Sequence, residues 1–122
     1  MAVLIVDDDR DIREMLAQTL EDEGYEVVTA ADGAAALATL ERDPLPCLIL
    51  LDLMMPGMNG REFRSAQLGD PRLGAIPVIV LSARTDLKQA AAEMRGVEHL
   101  AKPIDFTLLM DALARHCGAP PR

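Results

Sequence analysis

Three short uncharged runs constrain this chain more than anything else in it: Val3 to Val6, Leu48 to Leu51 and Val78 to Leu81. Each is one strand long, too short for a buried helix, and closed by polar or turn residues. Each therefore reads as a strand buried on both faces. Tyr25 to Thr29 reads as another strand, with Val27 and Val28 as its core and Glu26 arguing for a place near the sheet edge. Val97 to Ala101 is a weaker fifth. Stretches of helical period lie between them. Ile12, Met15, Leu16, Thr19 and Leu20 share one face, and Gly24 follows where a helix would stop. Ala34 to Leu40 is Ala-rich and follows the turn signal Asp32-Gly33. Arg61 to Leu68 makes a third helix with Phe63 inward, and Gly69 to Pro77 reads as a loop. A fourth helix, capped by Thr85 or Asp86, runs toward Arg95 and stops at Gly96. The last is capped by Asp105 and carries Leu108, Leu109, Ala112, Leu113 and His116 on one face, with Ile104 and Leu109 placed as a hydrophobic staple. A strand followed by a helix, five times over, predicts an α/β fold: a parallel sheet covered by helices on both faces.

At 122 residues the chain has room for one core, not two. It is expected to form one domain over residues 1–122, with its core at 3–117 and a frayed tail at 118–122. Hydrophobic residues make up 50% but aromatics only 2%, so the core is aliphatic and no aromatic platform is available for stacking bases. The net charge of −8 disfavours phosphate backbones and anionic membranes, and it suits a metal cation or a basic partner surface. Direct nucleic-acid or membrane binding is therefore not expected. No apolar run approaches the roughly 20 residues of a membrane span, and no signal peptide is visible. A cytoplasmic location is expected. Cys47 and Cys117 are far apart and outside any CxxC pattern, so they read as two reduced, small apolar residues rather than a disulfide or a zinc site.

The polar residues at the strand ends point to chemistry. In an open parallel sheet, functional groups gather beyond the carboxyl ends of the strands, at the switch point of the strand order. The first strand ends in Asp7 and Asp8, the third in Asp52, the fourth in Ser82 and the fifth in Lys102. With strand order 2-1-3-4-5, Asp7, Asp8 and Asp52 fall side by side. Clustered carboxylates repel, so either some stay protonated or a cation holds them together; a hard divalent ion such as Mg2+ suits an all-oxygen site. A hydroxyl and an ammonium facing such a cluster make a site for a phosphoryl group. Lys102 is one of only two lysines, and Asp52 is the candidate acceptor, forming an acyl phosphate. Taken singly these signals are weak. Asp8 or Asp9 also reads as a helix cap, and Ser82 and Lys102 each have ordinary structural readings. The specificity lies in four strand ends carrying the right groups in order.

Those residues, with the motifs VDD at Val6 to Asp8, DLMMPGMNG at Asp52 to Gly60, VIVLSA at Val78 to Ala83 and AKP at Ala101 to Pro103, resemble the receiver domain of two-component response regulators over Val3 to Cys117. The resemblance implies a flavodoxin-like (βα)5 fold. It implies that Asp52 accepts a phosphoryl group from a histidine kinase or phosphotransfer protein, with Mg2+ held by Asp7, Asp8, Asp52 and the backbone carbonyl of Met54. Ser82 and Lys102 would then bind the phosphoryl oxygens. The altered surface would be read by a downstream effector, as a monomer or a phosphorylation-dependent dimer. His99 stands where the family usually carries a switching Tyr or Phe; it either switches in their place or is an exposed histidine. Met54 and Arg84 stand two residues beyond Asp52 and Ser82, where the family tunes water access, and an apolar Met54 predicts a long-lived phosphorylated state. The chain is expected to act on itself rather than as a turnover enzyme. A phosphorylation-independent interaction module and a Mg2+-dependent aspartyl-phosphate phosphohydrolase are the alternatives. The second needs an acid/base Asp just after the nucleophile, where this chain has Leu53 and Met54.

Overall fold

The computed structural model describes residues 2–42, 44–53, 60–83 and 97–118. Five parallel strands, β1 (Ala2–Val6), β2 (Glu26–Ala30), β3 (Leu48–Asp52), β4 (Val78–Ala83) and β5 (Glu98–Lys102), form one sheet in the order 2-1-3-4-5. The described helices are α1 (Arg10–Asp22), α2 (Gly33–Leu40), α3 (Gly60–Leu68), the single turn α4 (Pro71–Gly74) and α5 (Phe106–Cys117). This is the expected flavodoxin-like arrangement. No helix among the described residues is long and apolar enough to cross a membrane.

Strand alternation sorts the core into two layers. Val3, Ile5, Leu48 and Leu50 pack with Leu16 and Leu20 of α1 and Leu109 and Leu113 of α5. Leu4, Val6, Ile49 and Leu51 pack with Leu40 of α2, Phe63 of α3 and Leu73 of α4. All five residues of β3 are buried, as its central position requires. Helix starts are fixed by aspartates: Asp9, Asp32, Asp70 and Asp105 each accept from backbone N–H groups of the following turn, worth about 1 kcal/mol apiece. Gly24, at φ 98°, takes the left-handed position just past α1.

Several expectations are corrected. Cys47 and Cys117 are not two reduced thiols: they form a disulfide, with Cα atoms 5.4 Å apart. In a parallel sheet the helices run back against the strands, so the end of α5 returns to the edge where β3 begins. Their separation of 70 residues carried no hint of this. Val28 is 41% exposed rather than core. β2 is an edge strand, with a neighbouring strand on one side only. Met15 and Leu108 are also exposed. Each sits one position, about 100° of helix rotation, away from the buried Leu16 and Leu109. The expected loop before β4 contains the turn α4, closed by the Asp70 cap and by bonds from Leu73 N and Gly74 N to Asp70 O. The expected fourth helix at 86–95, Met54, Arg84 and the tail 119–122 lie outside the described residues.

Candidate functional site

The β1–α1 junction divides its three aspartates among three tasks. Asp9 turns its carboxylate to the helix, accepting from Asp11 N at 3.0 Å and Ile12 N at 3.2 Å. Asp7 is fully buried. Its backbone continues the sheet, Asp7 N donating to Ala30 O at 3.2 Å. Its Oδ1 accepts from Asp9 N at 2.9 Å, and its carbonyl accepts from Arg13 Nη1 at 2.8 Å. Asp8, between them, is exposed. The backbone thus points one carboxylate inward and the next outward at the same edge.

Asp52 closes β3 at 5% exposure, beside β1 in the sheet order. One oxygen from each of Asp7, Asp8 and Asp52 lies within 4.8 Å of the others. Lys102, the last residue of β5, reaches across β4 to this group. Its Nζ is 3.2 Å from Asp52 Oδ1 and 3.9 Å from Asp7 Oδ2. The first is a hydrogen-bonded ion pair. The second is beyond hydrogen-bond length, and Asp7 Oδ2 is buried with no hydrogen-bond partner among the described residues. Ser82 on β4 is 2% exposed, and its hydroxyl likewise has none. Together these groups line a cleft of about 270 Å³.

Buried polar groups are ordinarily paired. Among the described residues a carboxylate oxygen and a hydroxyl, both lining one small cleft, are exceptions to that rule. The donor set on the acidic side is all carboxylate oxygen, which fits a hard divalent cation and not a soft one. Asp7, Asp8 and Asp52 are the described residues that fit such an ion. Ser82 and Lys102 offer donors on the other side, the pair needed for an anion.

The structure brings Asp7, Asp8, Asp52, Ser82 and Lys102 together in that cleft, and leaves His99 out of its lining. His99 pairs with Val80 in the sheet, as Ala101 pairs with Ser82. His99 is thus on the face of the sheet that carries Ser82, two residues back along β5. Its Nδ1 is 2.9 Å from Val97 O, and its Nε2 is buried with no hydrogen-bond partner among the described residues. The Met54 carbonyl lies outside the described residues.

Two contributors escaped the sequence reading. Arg13 holds the Asp7 carbonyl from one turn into α1; its spacing after the aspartates is the only linear signal. Gly60 begins α3 against the end of β3, where a Cβ would meet Leu53 Cα at 2.9 Å and Asp52 O at 3.1 Å. Only glycine lets this helix start so close to the acidic strand end, a requirement visible solely in three dimensions.

Comparison with known proteins bears on the family. The family model described as the response regulator receiver domain matches residues 3–114. An uncharacterized 14.6 kDa protein of Leptolyngbya boryana is 38% identical over 99% of this chain and 93% of its own length. The DNA-binding response regulator MtrA of Mycobacterium leprae is 42% identical over 69% of this chain; the match spans 36% of MtrA. Among solved structures, the Vibrio cholerae chemotaxis protein CheY4 superposes with a TM-score of 0.81 at 38% identity, covering 95% of this chain and 98% of CheY4. A response regulator from Chloroflexus aurantiacus gives 0.85 at 32% identity, covering 93% and 94%.

Proposed function

The chain belongs to the response regulator receiver family of two-component signalling, and from that premise we propose that it is a phosphorylation-operated switch with Asp52 as the acceptor. The observation that carries this reading is the Lys102–Asp52 pair at 3.2 Å, set among Asp7, Asp8 and the orphaned Ser82 hydroxyl.

Asp52 is anchored through Oδ1 by Lys102, which restrains rotation of the carboxylate. A phosphohistidine on a histidine kinase or phosphotransfer protein supplies the phosphoryl group. An Asp52 oxygen forms the new O–P bond as the P–N bond breaks, and the electron pair leaves on the histidine ring. Asp7, Asp8 and Asp52 would hold Mg2+, which when bound offsets the clustered negative charge that otherwise repels a phosphate. Lys102 then pairs with the transferred group, and Ser82 Oγ donates to one of its oxygens.

That hydroxyl links the chemistry to the switch. A buried unsatisfied hydroxyl costs about 1–3 kcal/mol. The phosphorylated state removes that cost and the unphosphorylated state retains it, so the arrangement that brings Ser82 onto the phosphoryl oxygen is favoured by phosphorylation. His99 is the proposed relay, since it shares the Ser82 face of the sheet and holds a buried Nε2 without a hydrogen-bond partner among the described residues. The recipient is a downstream effector, and the chain works in the cytoplasm on itself, without turnover of an external substrate.

Incubation with Mg2+ and acetyl phosphate tests this. The intact mass should rise by one phosphate, and the gain should vanish with EDTA or in Asp52→Asn. Steady phosphate release with turnover would point instead to a hydrolase. No gain at all would leave only a phosphorylation-independent interaction module.

A further inference from the structure

We propose that Cys47 and Cys117 form a thiol–disulfide exchange site that fastens and releases the C-terminal end of α5. The bond joins the last residue of α5 to the residue preceding β3. Two further contacts converge on the same turn. Tyr25 Oη, just before β2, donates to Gly118 O at 3.1 Å. Glu98, the first residue of β5, accepts from Arg115 at 2.8 and 3.0 Å and lies 2.9 Å from His116 Nε2. The end of α5 is therefore tied to three strands at once, all at the sheet edge opposite the acidic cleft. Only the tie to β3 is covalent.

The two sulfurs are unequally placed. Cys47 is 5% exposed, whereas Cys117 is half-buried at the helix end. Of the two, Cys117 is the more open to an external thiolate. The reduced state is also provided for. Cys47 Sγ lies 3.4 Å from Ala2 O, so a thiol formed there has an acceptor for its proton. Surroundings that accept both states suit a bond that is made and broken. In the cytoplasmic setting proposed above, disulfides are characteristically transient or redox-sensing.

The partner is a dithiol reductant. Its thiolate attacks Cys117 Sγ; the S–S bond breaks, and the electron pair leaves on Cys47, which takes up a proton. The reductant's second thiol loses its proton and attacks the reductant sulfur of the mixed disulfide, and Cys117 leaves as a thiolate. Two electrons pass to the protein, and the reductant departs as a disulfide.

Dithiothreitol serves as the probe on the full chain under native conditions. The chain purified without reductant should show no maleimide-reactive thiol after denaturation. Dithiothreitol should yield both cysteine thiols while the circular dichroism is retained. Amide exchange should then rise about tenfold in the last turn of α5 and stay within about twofold in β1 and β3. In Cys47→Ser, Cys117 should react with a small aromatic disulfide about tenfold faster than Cys47 does in Cys117→Ser. Two free thiols that oxidised glutathione does not join would overturn the proposal. So would a disulfide reduced only when the whole chain unfolds. Both of those results are read on the unaltered protein, and neither depends on phosphorylation.

Discussion

Replacing Ser82 with alanine should act oppositely on the two states of the switch. In the structure the side chain is 2% exposed and its hydroxyl has no hydrogen-bond partner among the described residues. Removing a buried, unpaired hydroxyl relieves a desolvation cost of about 1–3 kcal/mol and gives up only the packing of one oxygen. The unphosphorylated Ser82→Ala protein should therefore be as stable as the parent, or more stable by about 1 kcal/mol. The phosphorylated state loses a hydrogen bond to a charged oxygen, worth about 1.5–3 kcal/mol, or roughly 10- to 150-fold in the switching equilibrium. Urea unfolding with and without Mg2+ and beryllofluoride, a mimic of the aspartyl phosphate, measures both. The ligand should stabilise the parent by mass action and stabilise Ser82→Ala less, by about 1.5–3 kcal/mol. A variant that loses more than about 1 kcal/mol on its own has lost a real partner of the hydroxyl. An unchanged ligand effect shows that Ser82 does not touch the phosphoryl group. Either result refutes the reasoning.

Other substitutions test the scaffold around the cleft. Gly60→Ala places a Cβ 2.9 Å from Leu53 Cα; it should cost about 1–3 kcal/mol in urea unfolding and slow phosphorylation by acetyl phosphate, because the backbone that must yield is that of Asp52 and Leu53. Unaltered stability would mean α3 has room to retreat. Arg13→Gln removes the donor to Asp7 O at 2.8 Å, and should weaken Mg2+ binding measured by calorimetry while costing about 1 kcal/mol of stability; Arg13→Lys should recover part of both. Glu98 is held at a pKa of about 2, chiefly by hydrogen bonds from Arg115 and then His116, against an ordinary 4.5. A depressed carboxylate binds fewer protons folded than unfolded, so its stabilisation is full above the ordinary value and is lost as pH falls toward the depressed one. The side chain is 37% exposed, so screening limits the effect to about 1 kcal/mol or less. Urea unfolding from about pH 5 down to about pH 3 should decline less steeply in Glu98→Gln; an identical decline would assign the acid sensitivity elsewhere.

The sheet was legible because parallel strands buried on both faces must be uncharged, and the polar residue that ends each one must then sit at an edge. Val3 to Val6, Leu48 to Leu51 and Val78 to Leu81 obey that rule, and Asp7, Asp52 and Ser82 end up facing one cleft. Lys102 was legible as one of only two lysines and as the end of the fifth strand, although that strand reads weakly because its residues are all half-buried. Features that depend on proximity across the fold left little trace in one dimension. The disulfide joins residues 70 apart. The close packing at Gly60 is a backbone contact. Val28 and Leu108 have core chemistry but sit on the edge strand and on a turned-away side of the last helix. The division of labour among Asp7, Asp8 and Asp9 was open in the sequence and is set by where α1 begins.

The acceptor itself is tested most directly by chemical trapping. After incubation with Mg2+ and acetyl phosphate, borohydride reduces an acyl phosphate to homoserine and leaves free carboxylates untouched, and peptide mapping reads the site. Homoserine at position 52 alone is the predicted result. Homoserine at position 7 or 8, or at no aspartate in a chain that has gained a phosphate, would contradict the assignment of Asp52.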